Sequence, residues 1–249
     1  MTAPPPTPLT FVIPTRNEAA NIGECVRGLT SAGEVIVVDN ASTDGTAELA
    51  RQAGARVLGH PGPGTAQRNA GIAAAAHEWV FTLDADERVG PALARELAAT
   101  VAAPAHEAYE VRRSNVFLGR LVRHGGWGND WVVRLFRRNR RFGERKVHGS
   151  LEPVADVGRL RAPLEHVPYR DLKHYLQKLD RSTGFAAEEL AGRGRRPRVT
   201  DLLLRPPVRF VRMYFLQLGI LDGWHGVVLC GLAAVSVFLK YARLWERSR

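Results

Sequence analysis

The sequence predicts an α/β fold with a largely parallel sheet, followed by a helical C-terminal extension. Three observations carry that expectation. Short apolar runs at residues 9–13, 35–38 and 79–82 alternate with segments of helical periodicity. Each run ends in polar residues, so chemistry gathers along one sheet edge, at the carboxyl ends of the strands. Beyond residue 171 the pattern turns helical, with apolar and basic residues interleaved.

In order, Leu9-Thr10-Phe11-Val12-Ile13 reads as a first strand stopped by Pro14, with Thr15, Asn17 and Glu18 at its mouth. A helix over about residues 19–31 carries Ile22, Val26 and Leu29. Val35-Ile36-Val37-Val38 is the second strand, and Asp39, Asn40 and Ser42 follow it. Asp44 is placed to cap a helix over residues 46–53, ended by Gly54. Residues 56–58 form a weaker third strand. Gly59, Gly62 and Gly64 then lead into an alanine-rich helix bearing Gln67-Arg68-Asn69. The glycines lack the Lys-Ser/Thr of a phosphate-binding P-loop, and no Gly-x-Gly-x-x-Gly follows the first strand, which excludes the dinucleotide form of the fold.

Trp79-Val80-Phe81-Thr82 is the fourth strand, and it delivers Asp84 and Asp86 with only Ala85 between them. Carboxylate oxygens there are hard ligands for Mg²⁺ or Mn²⁺, which are commonly held by one or two carboxylates plus substrate phosphates. Taken alone, the pair also reads as a strand end and a turn. Gly90-Pro91 opens a further helix reaching about residue 101.

The second half starts with a strand near residues 109–113, then Gly125-Gly126-Trp127 and Asn129-Asp130 directly before an alternating strand from Trp131. Arg134 and Arg138 would share a strand face, as a phosphate clamp or as solvated charge, and Arg138 through Arg141 read as solvated. Leu172, Tyr175, Leu176 and Leu179 mark a helix starting at Asp171, and residues 192–198 form a basic break. Arg205, Arg209 and Arg212 stud the aromatic and aliphatic stretch that follows. The uncharged run from Gly226 to Leu239 is 14 residues, short of the roughly 20 that span a bilayer. Helices lying in an anionic membrane interface fit this composition, and a helical pair packed on the catalytic domain or a second subunit is the alternative.

Hydrophobic residues make up 45% of 249, with five Trp, enough for a packed core and against intrinsic disorder. Through Glu110 there are 7 Lys/Arg against 13 Asp/Glu, a net −6; from Val111 onward 28 stand against 12, a net +16. The second half therefore calls for an anionic partner: membrane surface, phosphorylated substrate or nucleic acid. Nucleic acid is disfavoured, since zinc spacing, RNP-like aromatics and a recognition helix are missing. Cys25 and Cys230 lie far apart in apolar contexts, pointing to buried thiols in a reducing compartment. The first residues lack the basic and apolar regions of a secretory signal, so the expected location is cytoplasmic.

Four blocks now carry a resemblance: Phe11-Val12-Ile13-Pro14-Thr15-Arg16-Asn17-Glu18, Val37-Val38-Asp39-Asn40-Ala41-Ser42-Thr43-Asp44-Gly45-Thr46, Gln67-Arg68-Asn69-Ala70-Gly71 and Leu83-Asp84-Ala85-Asp86. In this order they resemble glycosyltransferase family 2, inverting nucleotide-sugar-dependent enzymes of the GT-A fold. The resemblance implies a UDP-sugar donor and a Mg²⁺ or Mn²⁺ cofactor. It implies base and ribose contacts from Pro14, Thr15, Asn17, Glu18, Asp39 and Ser42, and nucleotide or diphosphate contact from Arg68. Asp84 would meet the sugar-proximal ribose, with Asp86 and Asp84 as metal ligands. Gly125-Gly126-Trp127, Asp130, residues 134–138, residues 164–171 and residues 203–207 resemble the subgroup of lipopolysaccharide core-biosynthesis transferases. That subgroup often carries Val-His-Glu where this chain has Val147-His148-Gly149, so the catalytic base falls to Asp130 first, Glu152 second and His148 last. Arg134 and His148 are possible phosphate or acceptor contacts, and His148 and His166 fit ligand and structural roles equally.

The expected organisation is a GT-A catalytic domain over residues 1–170, with a nucleotide-sugar half at 8–104 and an acceptor half at 105–170. A membrane-associating extension over 171–249 follows. The expected acceptor is a lipopolysaccharide-core or other lipid-linked glycan; a polyprenyl phosphate is the nearest alternative.

Overall fold

The computed structural model describes residues 7–143 and 150–249. The elements, in chain order, are β1 (Leu9–Thr15), α1 (Ala19–Arg27), β2 (Glu34–Asp39), α2 (Thr46–Gln52), β3 (Arg56–Gly59), α3 (Gly64–Ala74), β4 (Trp79–Thr82), β5 (Glu87–Arg88), α4 (Pro91–Ala102) and β6 (Ala108–Phe117). There follow β7 (Arg120–Leu121), β8 (Trp131–Arg137), β9 (Val157–Arg159), β10 (Leu164–Tyr169), α5 (Leu172–Gly192), α6 (Val199–Leu203) and α7 (Arg205–Val211). A π-helical turn (Arg212–Leu216) and a 3₁₀ turn (Gly219–Asp222) then lead to α8 (Trp224–Glu246). The chain divides into two compact units: Met1–Arg113 with Trp131–His166, and Ser114–Asp130 with Val167–Arg249.

The first unit is the expected mixed α/β layer. Its strands run β3-β2-β1-β4-β8-β6. Those from β3 to β4 are parallel, whereas β8 is antiparallel to both β4 and β6. Parallel strands buried on both faces read as continuous apolar runs, and two clusters show why. Phe11, Ile13, Val37 and Phe81 face α1 and α4, while the alternate residues Val12, Ile36, Val38 and Val80 face α3. Gly71 sets the closeness of α3: a Cβ there would lie 2.4 Å from Val12 Cγ1 and 3.0 Å from Val38 Cγ2. That approach carries Gln67 and Arg68, one helical turn earlier, over the strand ends.

Two boundaries differ from the sequence expectation. β1 continues through Pro14, which pairs with Val38. Its partner β4 ends opposite Val12, so a proline two residues on removes no bond on that side. Helix α1 ends at Arg27, short of residue 31.

The second unit is built around Phe117, Val122, Tyr175, Leu179 and Leu229. Asp171 caps α5 by accepting the His174 N–H at 2.7 Å. Asp222 fixes the loop before β8, accepting from the backbone of Arg123 at 3.2 Å and His124 at 2.9 Å. Helix α8 is longer than its uncharged run: 23 residues, with a mean hydropathy of 1.8 over its most apolar 18. By length and composition it is sufficient to cross a membrane, which corrects the expectation that this stretch is too short. Both thiols are buried, and burial pushes Cys25 up to about 12.

Candidate active site

The mouths of β1 and β2 are stitched together by the residues that the sequence singled out. Asp39 accepts from Thr15 Oγ1 at 3.3 Å, from Ser42 Oγ at 2.5 Å and from Ser42 N–H at 2.9 Å. Ser42 Oγ in turn accepts the Asn17 N–H at 2.9 Å, and Asn17 Oδ1 accepts the Thr43 N–H at 2.9 Å. Asn17 has φ of 56°, in the left-handed region that asparagine tolerates better than most residues. The Glu18 N–H donates to Thr46 Oγ1 at 2.9 Å, and the Glu18 carboxylate accepts from Asn21 at 2.7 Å. Asp44 accepts from Thr46 N–H and Ala19 N–H, both at 3.1 Å, so it ties the starts of α1 and α2 together, while the N-cap of α2 is Gly45 and not Asp44 as the sequence suggested. Pro14 lies inside β1 behind this rim. Gln67, buried beneath, donates to Thr15 O at 3.1 Å and to Val38 O at 2.8 Å and locks the two strand ends together.

Beyond the end of β4 lies an ion network. Asp84 accepts from Arg68 Nη2 at 2.5 Å on one oxygen and from Arg134 Nη2 at 2.9 Å on the other. Arg134 also reaches Glu87 Oε1 at 2.6 Å, Arg113 approaches the same oxygen at 3.6 Å, and the Asp84 N–H donates to Glu87 Oε2 at 2.9 Å. Burial raises the Asp84 carboxyl, but the guanidiniums of Arg134 and Arg68 override this and hold it well below the usual carboxylate range. Glu87 is 0% exposed. Burial, joined by the Asp84 charge and opposed by Arg134, raises its carboxyl to about 7. Arg134 is itself buried and stays charged, so this is structural and electrostatic wiring, not solvated charge.

A folded-state value above the unfolded one means that the native protein holds the Glu87 proton more tightly. Its stabilising contribution is full below about pH 4.5 and fades as pH rises to about 7. Glu87→Gln is therefore expected to flatten the fall in melting temperature over that interval. Scanning calorimetry of both proteins from pH 4.5 to 7.5 checks it, and parallel curves would contradict the assignment.

Arg68, Arg113, Arg134, Phe142 and Glu152 line a cavity of about 590 Å³. The Nε–H donors of Arg68 and Arg134 are buried, with no hydrogen-bond partner among the described residues. Three arginines, Arg68, Arg113 and Arg134, in the lining of one cavity make it a place where an anion is expected. Asp86 faces His166, with Oδ1 and Nε2 3.7 Å apart and side chains 12% and 15% exposed. The carboxylate is a suitable donor for Mn²⁺ or Mg²⁺, and an imidazole, being softer, suits Mn²⁺ better than Mg²⁺. Among the described residues there is no cluster of three or more His, Cys, Asp or Glu that could hold a metal ion. The donor set thus fits a cation bound jointly with substrate phosphates, and not a closed protein cage.

The structure unites Thr15, Asn17, Glu18, Asp39 and Ser42 at one rim, and Arg68, Asp84 and Arg134 at one network. Glu152 belongs to the cavity lining. Asp130 lies in the second unit, directly before β8, where it accepts from Asn115 Nδ2 at 3.3 Å. His148 lies outside the described residues. Arg138 does not extend the face of Arg134: β8 ends at Arg137, and Arg138 donates to Ala75 O at 3.1 Å. Sequence reasoning missed Glu87, Arg113 and the bridging role of Gln67. The one available signal for Glu87 was its place directly after Asp84-Ala85-Asp86, and adjacency does not separate a buried glutamate from one on a turn.

A mixed sheet whose polar strand mouths end in an Asp-x-Asp turn beside an arginine-lined cavity has the layout of a GT-A-type fold. Residues 10–157 match the family described as Glycosyl transferase family 2. The chain is 31% identical to a lipopolysaccharide core biosynthesis glycosyltransferase, LpsC, of Rhizobium meliloti, covering 98% of this chain and 94% of that one. An uncharacterized glycosyltransferase of Rickettsia bellii is 26% identical, over 96% and 86% of the two chains. The crystal structure of S. aureus TarS 1-349 in complex with UDP-GlcNAc superposes with a TM-score of 0.52 at 16% identity, covering 97% of this chain and 91% of that chain, and shares the fold. This chain belongs to glycosyltransferase family 2 and is a glycosyltransferase related to those of the lipopolysaccharide core.

Proposed function

We propose that the protein transfers a hexose, glucose first, from a UDP-sugar to a hydroxyl of a lipopolysaccharide-core or other lipid-linked glycan acceptor. It does so with inversion, peripherally, at the cytoplasmic membrane face. The observation that carries this reading is the Arg68–Asp84–Arg134–Glu87 network beside a cavity lined by Arg68, Arg113 and Arg134. The 31% identity to LpsC supports the acceptor class.

Thr15, Asn17, Glu18, Asp39 and Ser42, backed by Pro14, form the rim for base and ribose. Arg68 and Arg134 present positive charge to the diphosphate, and Asp84 holds both guanidiniums in place. Because both Asp84 oxygens accept from arginine, the metal role falls to Asp86, with His166 as second donor. Bound Mn²⁺ or Mg²⁺ would supply neutralisation of the charge that develops on the departing nucleotide. An acceptor hydroxyl then needs a base to take its proton. The cavity position of Glu152 favours it, and Asp130 is the candidate that the sequence preferred.

The decisive comparison is Asp130→Asn against Glu152→Gln, assayed with a panel of nucleotide sugars, Mn²⁺ or Mg²⁺, and membrane lipid extract. Loss of the base is expected to cost roughly 10²–10⁴-fold in turnover. The variant that keeps full activity is not the base; full activity in both removes both assignments. Absence of nucleotide release from every UDP-sugar would end the donor assignment.

A further inference from the structure

The described residues leave 21 large apolar side chains exposed, and 15 of them fall between Val199 and Trp245. Nine of these form two ordered faces. Leu204, Val208, Val211 and Phe215 follow i, i+4, i+7, i+11 along α7 and the turn after it, each about half exposed or more. Arg205, Arg209 and Arg212, also exposed, form a parallel row one position round the helix. On α8, Trp224, Val228, Val235, Phe238 and Trp245 fall on one helical face, and Trp224 is 82% exposed. Only 22% of the apolar core of this helix is buried.

We propose that these two faces dock in the plane of an anionic lipid bilayer, with α8 lying in the interface and not crossing it. The proposal rests on the acceptor class inferred above only in placing the enzyme at a membrane. Its own support is in the second unit.

Three features select the occupant and its geometry. The second unit carries 17 Lys/Arg against 8 Asp/Glu, a net +9, which suits anionic headgroups. Two copies meeting through α7 would bring the arginine rows of like charge together, which disfavours a homodimer. An apolar stripe beside an arginine row matches the layering of an interface, where side-chain stems sink and guanidiniums meet phosphates.

Crossing is opposed by what holds the inner side of α8. That side lies along α5: Leu229 packs with Tyr175 and Leu179, and Tyr241 and Leu244 pack with Ala187. Arg243 donates to Asp180 O at 2.7 Å, and Arg247 pairs with Glu188 at 2.6 Å. A membrane-spanning α8 would either shed these contacts or carry the charged residues of α5 into hydrocarbon. Trp224 and Trp245, 21 residues apart, are separated by roughly 32 Å along the helix at 1.5 Å per residue. In a spanning helix they would sit at opposite interfaces, and in a docked helix at one.

The full chain would be mixed with preformed vesicles of phosphatidylglycerol and phosphatidylcholine, or of phosphatidylcholine alone, and sedimented at low and high salt. Retention is expected on the anionic vesicles at low salt, with about tenfold less on the neutral ones and on anionic ones at high salt. The double variant Val208→Glu/Phe215→Glu is expected to lose about tenfold or more in retention while keeping UDP affinity by calorimetry. Brominated lipids placed at defined depths should quench Trp224 and Trp245 alike at shallow depth, assigned by difference against Trp224→Phe and Trp245→Phe. Quenching of the two tryptophans at opposite leaflets, or resistance of the bound protein to alkaline extraction, would overturn the in-plane geometry. Unchanged retention of the double variant would overturn the surface. A wild-type dimer in solution that the double variant abolishes would assign the face to a second copy and overturn it too. Loss of UDP binding in the wild type with vesicle binding intact would sink the donor reading and leave this one standing.

Discussion

Asp86→Asn is expected to lower turnover by roughly 10²–10³-fold, the scale of losing one main electrostatic stabiliser of a developing charge, while the melting temperature stays close to wild type. The argument is local. Asp86 faces His166 at 3.7 Å, and an isosteric amide removes its charge without opening a cavity. Calorimetric titration with Mn²⁺ in the presence of UDP should show the same variant binding the cation weakly. His166→Gln should reproduce the weakened cation binding to a smaller degree. Near-normal sugar transfer by Asp86→Asn would remove the metal assignment, and a large fall in melting temperature would recast Asp86 as a structural residue.

Arg134→Met is expected to be the most destabilising substitution in the first unit. Arg134 stands between Asp84 and Glu87, and its removal leaves the fully buried Glu87 with the Asp84 N–H at 2.9 Å and the more distant Arg113 guanidinium at 3.6 Å. Removing one partner of a buried pair costs up to roughly 3–5 kcal/mol while the remaining group stays charged. In a chain of this size that corresponds to a fall of roughly 6–20 °C in melting temperature. Without Arg134 the Glu87 carboxyl rises further, so the loss should shrink as pH falls and Glu87 takes up a proton. Combining Arg134→Met with Glu87→Gln neutralises the stranded carboxylate and should restore part of the loss, although turnover should stay low because the diphosphate contact is gone. Thermal unfolding of the two single variants and the double closes the cycle. Additive losses would mean that Arg134 and Glu87 do not depend on each other.

The legibility of this protein from sequence was uneven in a way that physics explains. Strands β1, β2 and β4 were plain because both their faces are buried, and such strands cannot tolerate polar interruption. The contacts of Thr15, Asn17, Asp39 and Ser42 at one rim were within reach of the sequence, because short motifs at adjacent strand ends bring their polar residues together. Glu87 was not, since nothing in a four-residue acidic turn says which carboxylate turns inward. Arg134 was undecided between clamp and solvated charge, because strand alternation gives a face but not the partner on it.

The extension shows the same division. Composition announced a basic and apolar C-terminal region, yet the uncharged run alone underestimated α8, whose hydrogen-bonded length extends through Lys240, Arg243 and Glu246. Helix length follows from backbone bonding and tertiary support, and charges near one end do not stop it.

By itself the chain determined the α/β class, the order of the strand mouths, the family and the acidic-to-basic division between halves, because each is written in local periodicity or short motifs. Only the tertiary structure decided that Arg134 and Glu87 form a buried pair, that Asp86 faces His166 across 80 residues, and that α8 lies along the charged helix α5. Those are contacts between segments distant in sequence, and their energies depend on burial and on the partner each side chain meets, quantities that a linear string of residues does not contain.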